Sequence, residues 1–266
     1  MIEIFRYRDL VLALVARELK VRYRRSAIGF TWTMLQPLLM MLVLQLVFSS
    51  IFRFKLDPPP GAPEDSSGNY PVYVLAGLLF WNFFSQSIVA SMNSLRGNAL
   101  LLKKLPIPRE VFPLATIISG IINLCFALLP LLLILILTRH PITPALLFLP
   151  VAILLAAIFT LGAGLLLSPL AVFFSDVVEL VGVLLSILMY LTPIFYPMSI
   201  LKDSRYLPLV RFNPVRSILE VFRDPIYQGE VPPLTHLSVC LGIALLAFVL
   251  GAFAFRRTSD RIPFYI

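Results

Sequence analysis

Residues 66–95 read SSGNYPVYVLAGLLFWNFFSQSIVASMNSL, 30 positions between Asp65 and Arg96 without a formal charge. The hydrocarbon core of a bilayer takes about 20 apolar residues of helix, so this stretch is long enough to cross one. Three more runs are of the same kind: 27 uncharged residues between Arg25 and Arg53, 28 between Glu110 and Arg139, and 25 between Glu230 and Arg256. The segment from Pro141 to Ser175 is also free of charge, with room for one crossing but not two, and Pro144, Pro150 and Pro169 punctuate it. With a further apolar run after Asp176, the pattern predicts six spans, at 30–52, 72–94, 112–138, 145–168, 177–195 and 235–255. Pro37 and Pro130 fall inside spans, where a packed bundle accommodates a kink. The fold class expected is an all-α membrane protein with six transmembrane helices.

Composition agrees. Of 266 residues, 59% are hydrophobic and 14% charged, which leaves no sizeable soluble domain. The net charge of +8 does not indicate nucleic acid, because the basic residues cluster beside the apolar spans. There the positive-inside rule and the anionic headgroups of membrane lipids account for them. Cys125 and Cys240 both lie within spans and read as buried thiols, not as a disulfide or metal set. The first 28 residues are charged and hold no uninterrupted apolar stretch, so the first span is expected to act as an uncleaved insertion signal.

Lysine and arginine set the orientation. Residues 1–28 carry seven of them, 95–111 four and the tail three (Arg256, Arg257 and Arg261). The first two loops on the other side carry three between them, Arg53, Lys55 and Arg139. Both termini are therefore expected in the cytoplasm, in a multi-pass protein of the cytoplasmic (inner) membrane. The loop 197–234, placed outside, holds five positive charges against this trend, but long amphipathic loops weigh less in the rule. Residues 3–25 read as an amphipathic helix on the cytoplasmic surface, with Leu12, Val15, Leu19 and Tyr23 on one face and Arg6, Asp9, Arg17, Lys20 and Arg24 opposite. The chain thus divides into an interfacial segment, 1–28, and a transmembrane domain, 29–266.

There is no Gly-Lys dipeptide, and hence no phosphate-binding loop. His140 and His236 sit at span ends and join no cluster that suggests a metal, and no span carries a carboxylate at mid-depth. Ion-coupled carriers usually need such groups, so a transporter of this sequence draws its energy from elsewhere. Asp176 and Glu179 begin the fifth span, where the helix dipole alone accounts for them. The loop 96–110, RGNALLLKKLPIPRE, is richer in leucine and proline than a topogenic basic loop requires; it reads as a docking element for a soluble partner. Phe80, Trp81 and Phe84, near mid-span, and Tyr190, Phe195 and Tyr196 are either packing residues or a surface on which sugar rings stack. After Thr192-Pro193-Ile194-Phe195-Tyr196-Pro197 the chain is too polar and proline-broken to span. Two short helices dipping back into the bundle fit this segment, as does a surface loop.

The ordered set Arg17-Glu18-Leu19-Lys20-Val21-Arg22-Tyr23-Arg24-Arg25-Ser26-Ala27-Ile28-Gly29-Phe30-Thr31-Trp32, Leu35-Gln36-Pro37, Asn98-Ala99-Leu100 through Lys104, Pro108-Arg109-Glu110, Phe174-Ser175-Asp176, Thr192 to Pro197 and Asn213-Pro214 resembles the permease subunits of ABC-2-type exporters. These are the exporters of cell-surface polysaccharides: O-antigen, capsule and teichoic acid. Each motif alone is weak; their order and spacing are specific. The resemblance implies a homodimer of six-helix subunits with two ABC ATPase subunits on the cytoplasmic side. It implies a coupling helix in the 96–110 loop, at Asn98, Leu101, Leu102, Lys103, Lys104, Pro106, Arg109 and Glu110. It implies a gate in the N-terminal helix and re-entrant helices after the fifth span. The substrate implied is a polyprenyl-pyrophosphate-linked polysaccharide of the O-antigen kind. Arg22, Arg24 and Arg25 could then meet its pyrophosphate, or serve only topology and headgroup contact. The aromatics named above would line the glycan pathway. On this reading the chain is not an enzyme and holds no cofactor; ATP and Mg belong to the partner. The alternatives are an ABC-2 permease for teichoic acid, lipid or drug, a membrane enzyme acting on lipid-linked glycans, and a non-transporting scaffold. The enzyme would need a carboxylate or histidine constellation facing a cavity.

Overall fold

The computed structural model describes residues 7–23, 29–51, 56, 68–104, 107–201, 204–262 and 265. Among them are ten α-helices and no strand: α1 (Arg8–Tyr23), α2 (Trp32–Leu44), α3 (Tyr70–Ser94), α4 (Ala99–Lys104), α5 (Val111–Leu137), α6 (Leu149–Phe173), α7 (Val177–Leu191), α8 (Leu207–Arg211), α9 (Pro214–Tyr227) and α10 (Leu234–Ser259). A π-helical stretch, Gln45–Ile51, extends α2, and a 3-10 segment, Pro144–Phe148, leads into α6. Helix therefore occupies the site of every predicted span. Tyr70–Ser94, Val111–Leu137, Pro144–Phe173 and Leu234–Ser259 are long and apolar enough to cross a bilayer. The other two are shorter apolar helices, Trp32–Phe48 and Val177–Leu191. At ~1.5 Å per residue, a helix of the length of α7 falls short of a hydrocarbon core of about 30 Å.

Of the four long helices, α3 is the least apolar and the most enclosed. Of its most apolar stretch 78% is buried, against 17% for α10. In lipid the greasy helices can stay outside while serines and amides need protein neighbours, so α3 becomes the central post. It packs against α2, α5, α6, α7 and α9. Asn69 caps its start, accepting from Val72 N at 3.4 Å, and Pro71 follows in the first turn.

The closest helix pair is α6 with α10, which meet nearly backbone to backbone. A Cβ placed on Gly251 would lie 2.0 Å from the Gly162 carbonyl oxygen, and one on Gly162 would lie 2.4 Å from the Ala247 carbonyl carbon. Small residues permit this approach, and dispersion between the backbones holds it in the absence of a hydrophobic drive.

The segment 197–234 is not an ordinary surface loop. Its helix α9 is strongly two-faced: Val215, Ile218, Leu219, Phe222 and Ile226 are buried, and it packs on α3, α6 and α10. Asn213 caps it, accepting from Val215 N at 3.0 Å. His140, beyond the end of α5, stacks on Tyr227 and donates from Nε2 to the Tyr227 carbonyl at 3.0 Å. Burial there lowers the imidazole pKa, favouring the neutral ring.

A second apolar cluster gathers the other end of the bundle. Val11, Leu14 and Val15 of α1 join Leu102, Val111, Phe112, Val172, Phe255 and Ile262. Here the expected face of the N-terminal helix is corrected. Leu12, expected on the apolar face, is exposed, while Val11, Leu14 and Val15 form the buried stripe at i, i+3 and i+4. Arg17, expected on the headgroup side, donates from Nη2 to Asn98 Oδ1 at 2.6 Å. Val15 and Leu19, expected on the apolar face, do pack into the cluster; packing on α5 turns the stripe to take in Val11 and Leu14 in place of Leu12.

Candidate functional site

The 96–110 loop is built onto that second cluster. Arg96 donates to the Val172 carbonyl at 3.3 Å. Asn98 is buried, accepts from Arg17 and donates to the Ser94 carbonyl at 2.7 Å. In α4 the three leucines part company. Leu102 is 8% exposed and packs into the cluster, Leu101 packs beside it, and Leu100 is 75% exposed. Lys103 and Lys104 are also exposed. At one residue per ~100°, Leu100, Lys103 and Lys104 fall on one outer face.

Arg109 donates to the Ser259 carbonyl, lies 3.0 Å from Ser259 Oγ and pairs with Asp260 at 3.5 Å. It ties the loop to the end of α10. Glu110 is half-buried at the N-cap of α5, without a side-chain cap bond. Pro106, Arg24, Arg25 and the Arg22 side chain lie outside the described residues.

The six aromatics do not form one track within the subunit. Phe80, buried, stacks on Phe84 with ring centroids 6.2 Å apart and meets Phe222 at 5.9 Å. Phe84 in turn stacks on Phe159 at 5.7 Å. These rings fill the space between α3, α6 and α9. Trp81 lines a cleft between α3 and α7, with Gly182, Ser186 and Met189 across it. Phe195 is buried, whereas Tyr190 is exposed.

Around Thr192–Pro197 stands a clamp that the sequence reading did not anticipate. Arg223 is 6% exposed. Its Nη1 donates to the Pro193 carbonyl at 2.7 Å, and its guanidinium lies 4.1 Å above the Tyr73 ring. The Tyr73 hydroxyl reaches the Tyr196 carbonyl at 2.9 Å and the Pro193 carbonyl at 3.2 Å, donating to one at a time. The Tyr70 hydroxyl donates to the Phe195 carbonyl at 2.9 Å. The irregular chain after α7 thus has its buried carbonyls met by side chains from α3 and α9. Burial pushes the neighbouring Asp224 carboxyl up to about 6, against the opposing pull of Arg223. The signal was present as an arginine within an otherwise apolar helical stripe.

The sequence reading also passed over a polar cavity between α2, α3 and α5, whose lining includes Gln36, Asn82, Gln86 and Asn123. Each is an uncharged polar residue within a predicted span, a signal that a search confined to carboxylates and histidines does not register. Among the described residues, no group of three or more His, Cys, Asp or Glu side chains could hold a metal ion.

Residues 9–227 match the family model described as ABC-2 type transporter. The chain is 32% identical over 261 residues to an O-antigen export system permease protein of Myxococcus xanthus, covering 96% of this chain and 95% of that one. It is 26% identical over 257 residues to an O-antigen export system permease protein of Klebsiella pneumoniae, covering 95% and 93%. It is 28% identical over 233 residues to a capsule polysaccharide export inner-membrane protein of Neisseria meningitidis serogroup B, covering 84% and 81%. With its long apolar helices and a family match over most of its length, the chain is a multi-pass membrane protein that belongs to the ABC-2 type transporter family.

Proposed function

We propose that this chain is the permease subunit of an ATP-driven exporter that moves a lipid-linked, O-antigen-like polysaccharide across the inner membrane. The observation that carries this reading is the near end-to-end similarity, at 32% identity, to a permease named for O-antigen export. On this reading the chain works as a homodimer with two ABC ATPase subunits, which hold the ATP and Mg. Each subunit contributes six spans, with α2 and α7 as the short ones, and both termini face the cytoplasm. Residues 1–28 form the interfacial gate segment and 29–266 the transmembrane domain. α8 and α9 are the re-entrant pair, which the buried apolar face of α9 supports.

Coupling runs through α4. Leu100, Lys103 and Lys104 face outward to receive the ATPase, while Leu102 and Asn98 fix the loop to the subunit. Because Asn98 bonds Arg17 and Arg109 bonds Ser259, a push on α4 moves α1 and the end of α10 with it. Arg22, Arg24 and Arg25 meet the pyrophosphate as it passes the gate. Trp81, across a cleft from α7, and Tyr190, in the last turn of α7, line the glycan pathway; the other four aromatics shape its wall. Export of teichoic acid, a lipid or a drug would use the same machinery. The test is replacement of the permease in a host whose O-antigen reaches the surface only through such an exporter, with this chain and its ATPase supplied together. Recovery of surface glycan is expected; glycan retained on the cytoplasmic side despite a folded, inserted chain overturns the reading.

A further inference from the structure

The segment 197–234 carries five positive charges where the orientation rule expects few: Lys202, Arg205, Arg211, Arg216 and Arg223. The fold accounts for two of them. Arg223 is buried and donates to the Pro193 carbonyl, and Arg216 pairs with Glu220 at 2.8 Å within α9. The other three fall between positions 202 and 211, with Asp203 as the acid among them. Arg205 and Arg211 are exposed, and among the described residues neither forms an ion pair. Arg205 instead lies over the Tyr206 ring, 4.8 Å from its centroid, and its Nη2 donates to the hydroxyl at 2.6 Å.

The same stretch exposes large apolar side chains: Tyr206, Leu209 and Phe212 are 51%, 61% and 83% exposed. Between α8 and the last turn of α7 runs a cleft of about 320 Å³, lined by Leu188, Leu191, Pro208, Leu209 and Phe212. Its two walls are tied together, because Asn213 Nδ2 donates to Thr192 Oγ1 at 2.9 Å and lies 3.4 Å from the Leu191 carbonyl. At ~100° per residue, Pro208, Leu209 and Phe212 share one side of α8, and Arg211 flanks it. The cleft lies at the end of the bundle opposite α4: the chain just beyond it is held by Tyr70 and Tyr73, in the first turns of α3.

From these features we infer that α8 and the end of α7 form a binding site for an anionic glycerophospholipid of the surrounding bilayer. One acyl chain lies in the cleft, and the headgroup phosphate is held at the rim by Arg205 and Arg211. An apolar cleft with a cationic rim complements an amphiphile of negative charge. Long basic side chains beside exposed aromatics are also what anchors a segment at the headgroup level. A second copy of the chain is the poorer occupant, since a two-fold contact centred on this segment sets its basic groups against themselves. The inference does not rest on the exporter reading; in the orientation of that reading the lipid belongs to the outer leaflet.

Basic residues at the other end of the bundle also attract anionic lipid, so the test needs a reporter at the cleft itself. Phe212→Trp keeps a ring at an exposed position on its lining. Emission is read as the difference from the unsubstituted chain, which leaves Trp32 and Trp81 in place. The full chain is reconstituted in phosphatidylethanolamine bilayers and titrated with phosphatidylglycerol or phosphatidylcholine brominated on the acyl chains, bromine being a contact quencher of indole. Saturable quenching by phosphatidylglycerol is expected, at a mole fraction roughly thirtyfold lower than phosphatidylcholine requires, from about fivefold per arginine. Adding Arg211→Gln should reduce that preference about fivefold, and Arg205→Gln with Arg211→Gln should remove most of it; raised salt should narrow it as well. Both arginines are exposed, and an unchanged unfolding midpoint verifies that the variants are folded. Equal quenching by the two lipids, or a preference that survives the double variant, overturns the inference. Absence of quenching by either lipid, with the reporter shielded only when the chain is dimeric, assigns the cleft to a second copy and overturns it too. So does displacement of phosphatidylglycerol by a polyprenyl phosphate at a far lower mole fraction, which assigns the cleft to the carrier lipid. Surface glycan recovery tests the exporter reading separately and does not depend on this titration.

Discussion

Leu100 and Leu102 stand two residues apart in α4 and are expected to respond oppositely to substitution. Leu102 is 8% exposed, within the cluster that holds Leu14, Leu95 and Phe112. Leu102→Ala removes buried methyl groups and leaves a void, a loss of about 2–5 kcal/mol. Leu102→Asp adds an unpaired carboxylate in apolar surroundings and carries the loss beyond ~4 kcal/mol, so it reports on folding and not on docking. Leu100 is 75% exposed, and Leu100→Asp should change the subunit's own stability by no more than ~0.5 kcal/mol. If its face receives the ATPase, a carboxylate placed in that contact should cost about 2 kcal/mol, roughly thirtyfold in affinity. The assay pairs thermal unfolding of the purified permease in detergent with titration of the ATPase subunit. Leu102→Ala should melt earlier, and Leu100→Asp should melt with the wild type but bind the ATPase weakly. Wild-type ATPase affinity in Leu100→Asp would refute the docking face, and wild-type melting of Leu102→Ala would refute the packing argument.

Arg223→Met removes a charge-assisted bond to the Pro193 carbonyl, worth ~1.5–3 kcal/mol. Faster hydrogen exchange across 192–197 is expected, and unchanged exchange there would sink the clamp. Gly251→Ala drives a Cβ toward the Gly162 carbonyl and should lower the unfolding midpoint by an amount equivalent to about 1–3 kcal/mol. Gly242→Ala, with nothing within 4 Å of the added carbon, is the control and should leave the midpoint in place or raise it. Asp224, pushed up to about 6 by burial, holds its proton more tightly folded than unfolded, where the carboxyl titrates near ~3.9. Its contribution is therefore full below the unfolded value and is lost as pH rises through the window up to about 6, then constant. Asp224→Asn should remove that slope from the pH dependence of thermal unfolding; a wild-type profile parallel to the variant's across the window would count against it.

Charge-free length carries most of the architecture. The bilayer imposes one dimension on every crossing, so the runs around Tyr70–Ser94, Val111–Leu137, Pro144–Phe173 and Leu234–Ser259 are visible without knowledge of any neighbour. The loop 96–110 stands out because its leucines and prolines exceed what topology requires. What stays hidden is the side of each helix that meets protein. Apolar residues face lipid and core alike, so hydropathy cannot separate exposed Leu100 from buried Leu102 or choose Val11 and Leu14 over Leu12.

By itself the sequence determined an all-helical chain with its apolar segments in place, and the ordered motifs that lead to the transporter family. Length, charge spacing and motif order are properties of one dimension. Only the tertiary structure decided that α3 is the enclosed post, that Gly162 and Gly251 bring α6 and α10 into backbone contact, and that Arg223 reaches back 30 positions to Pro193. It also decided that Gln36, Asn82 and Asn123 share a cavity. Each of these is a meeting of residues far apart in the chain. In lipid it is packing and the pairing of polar groups, not apolar burial, that selects such meetings.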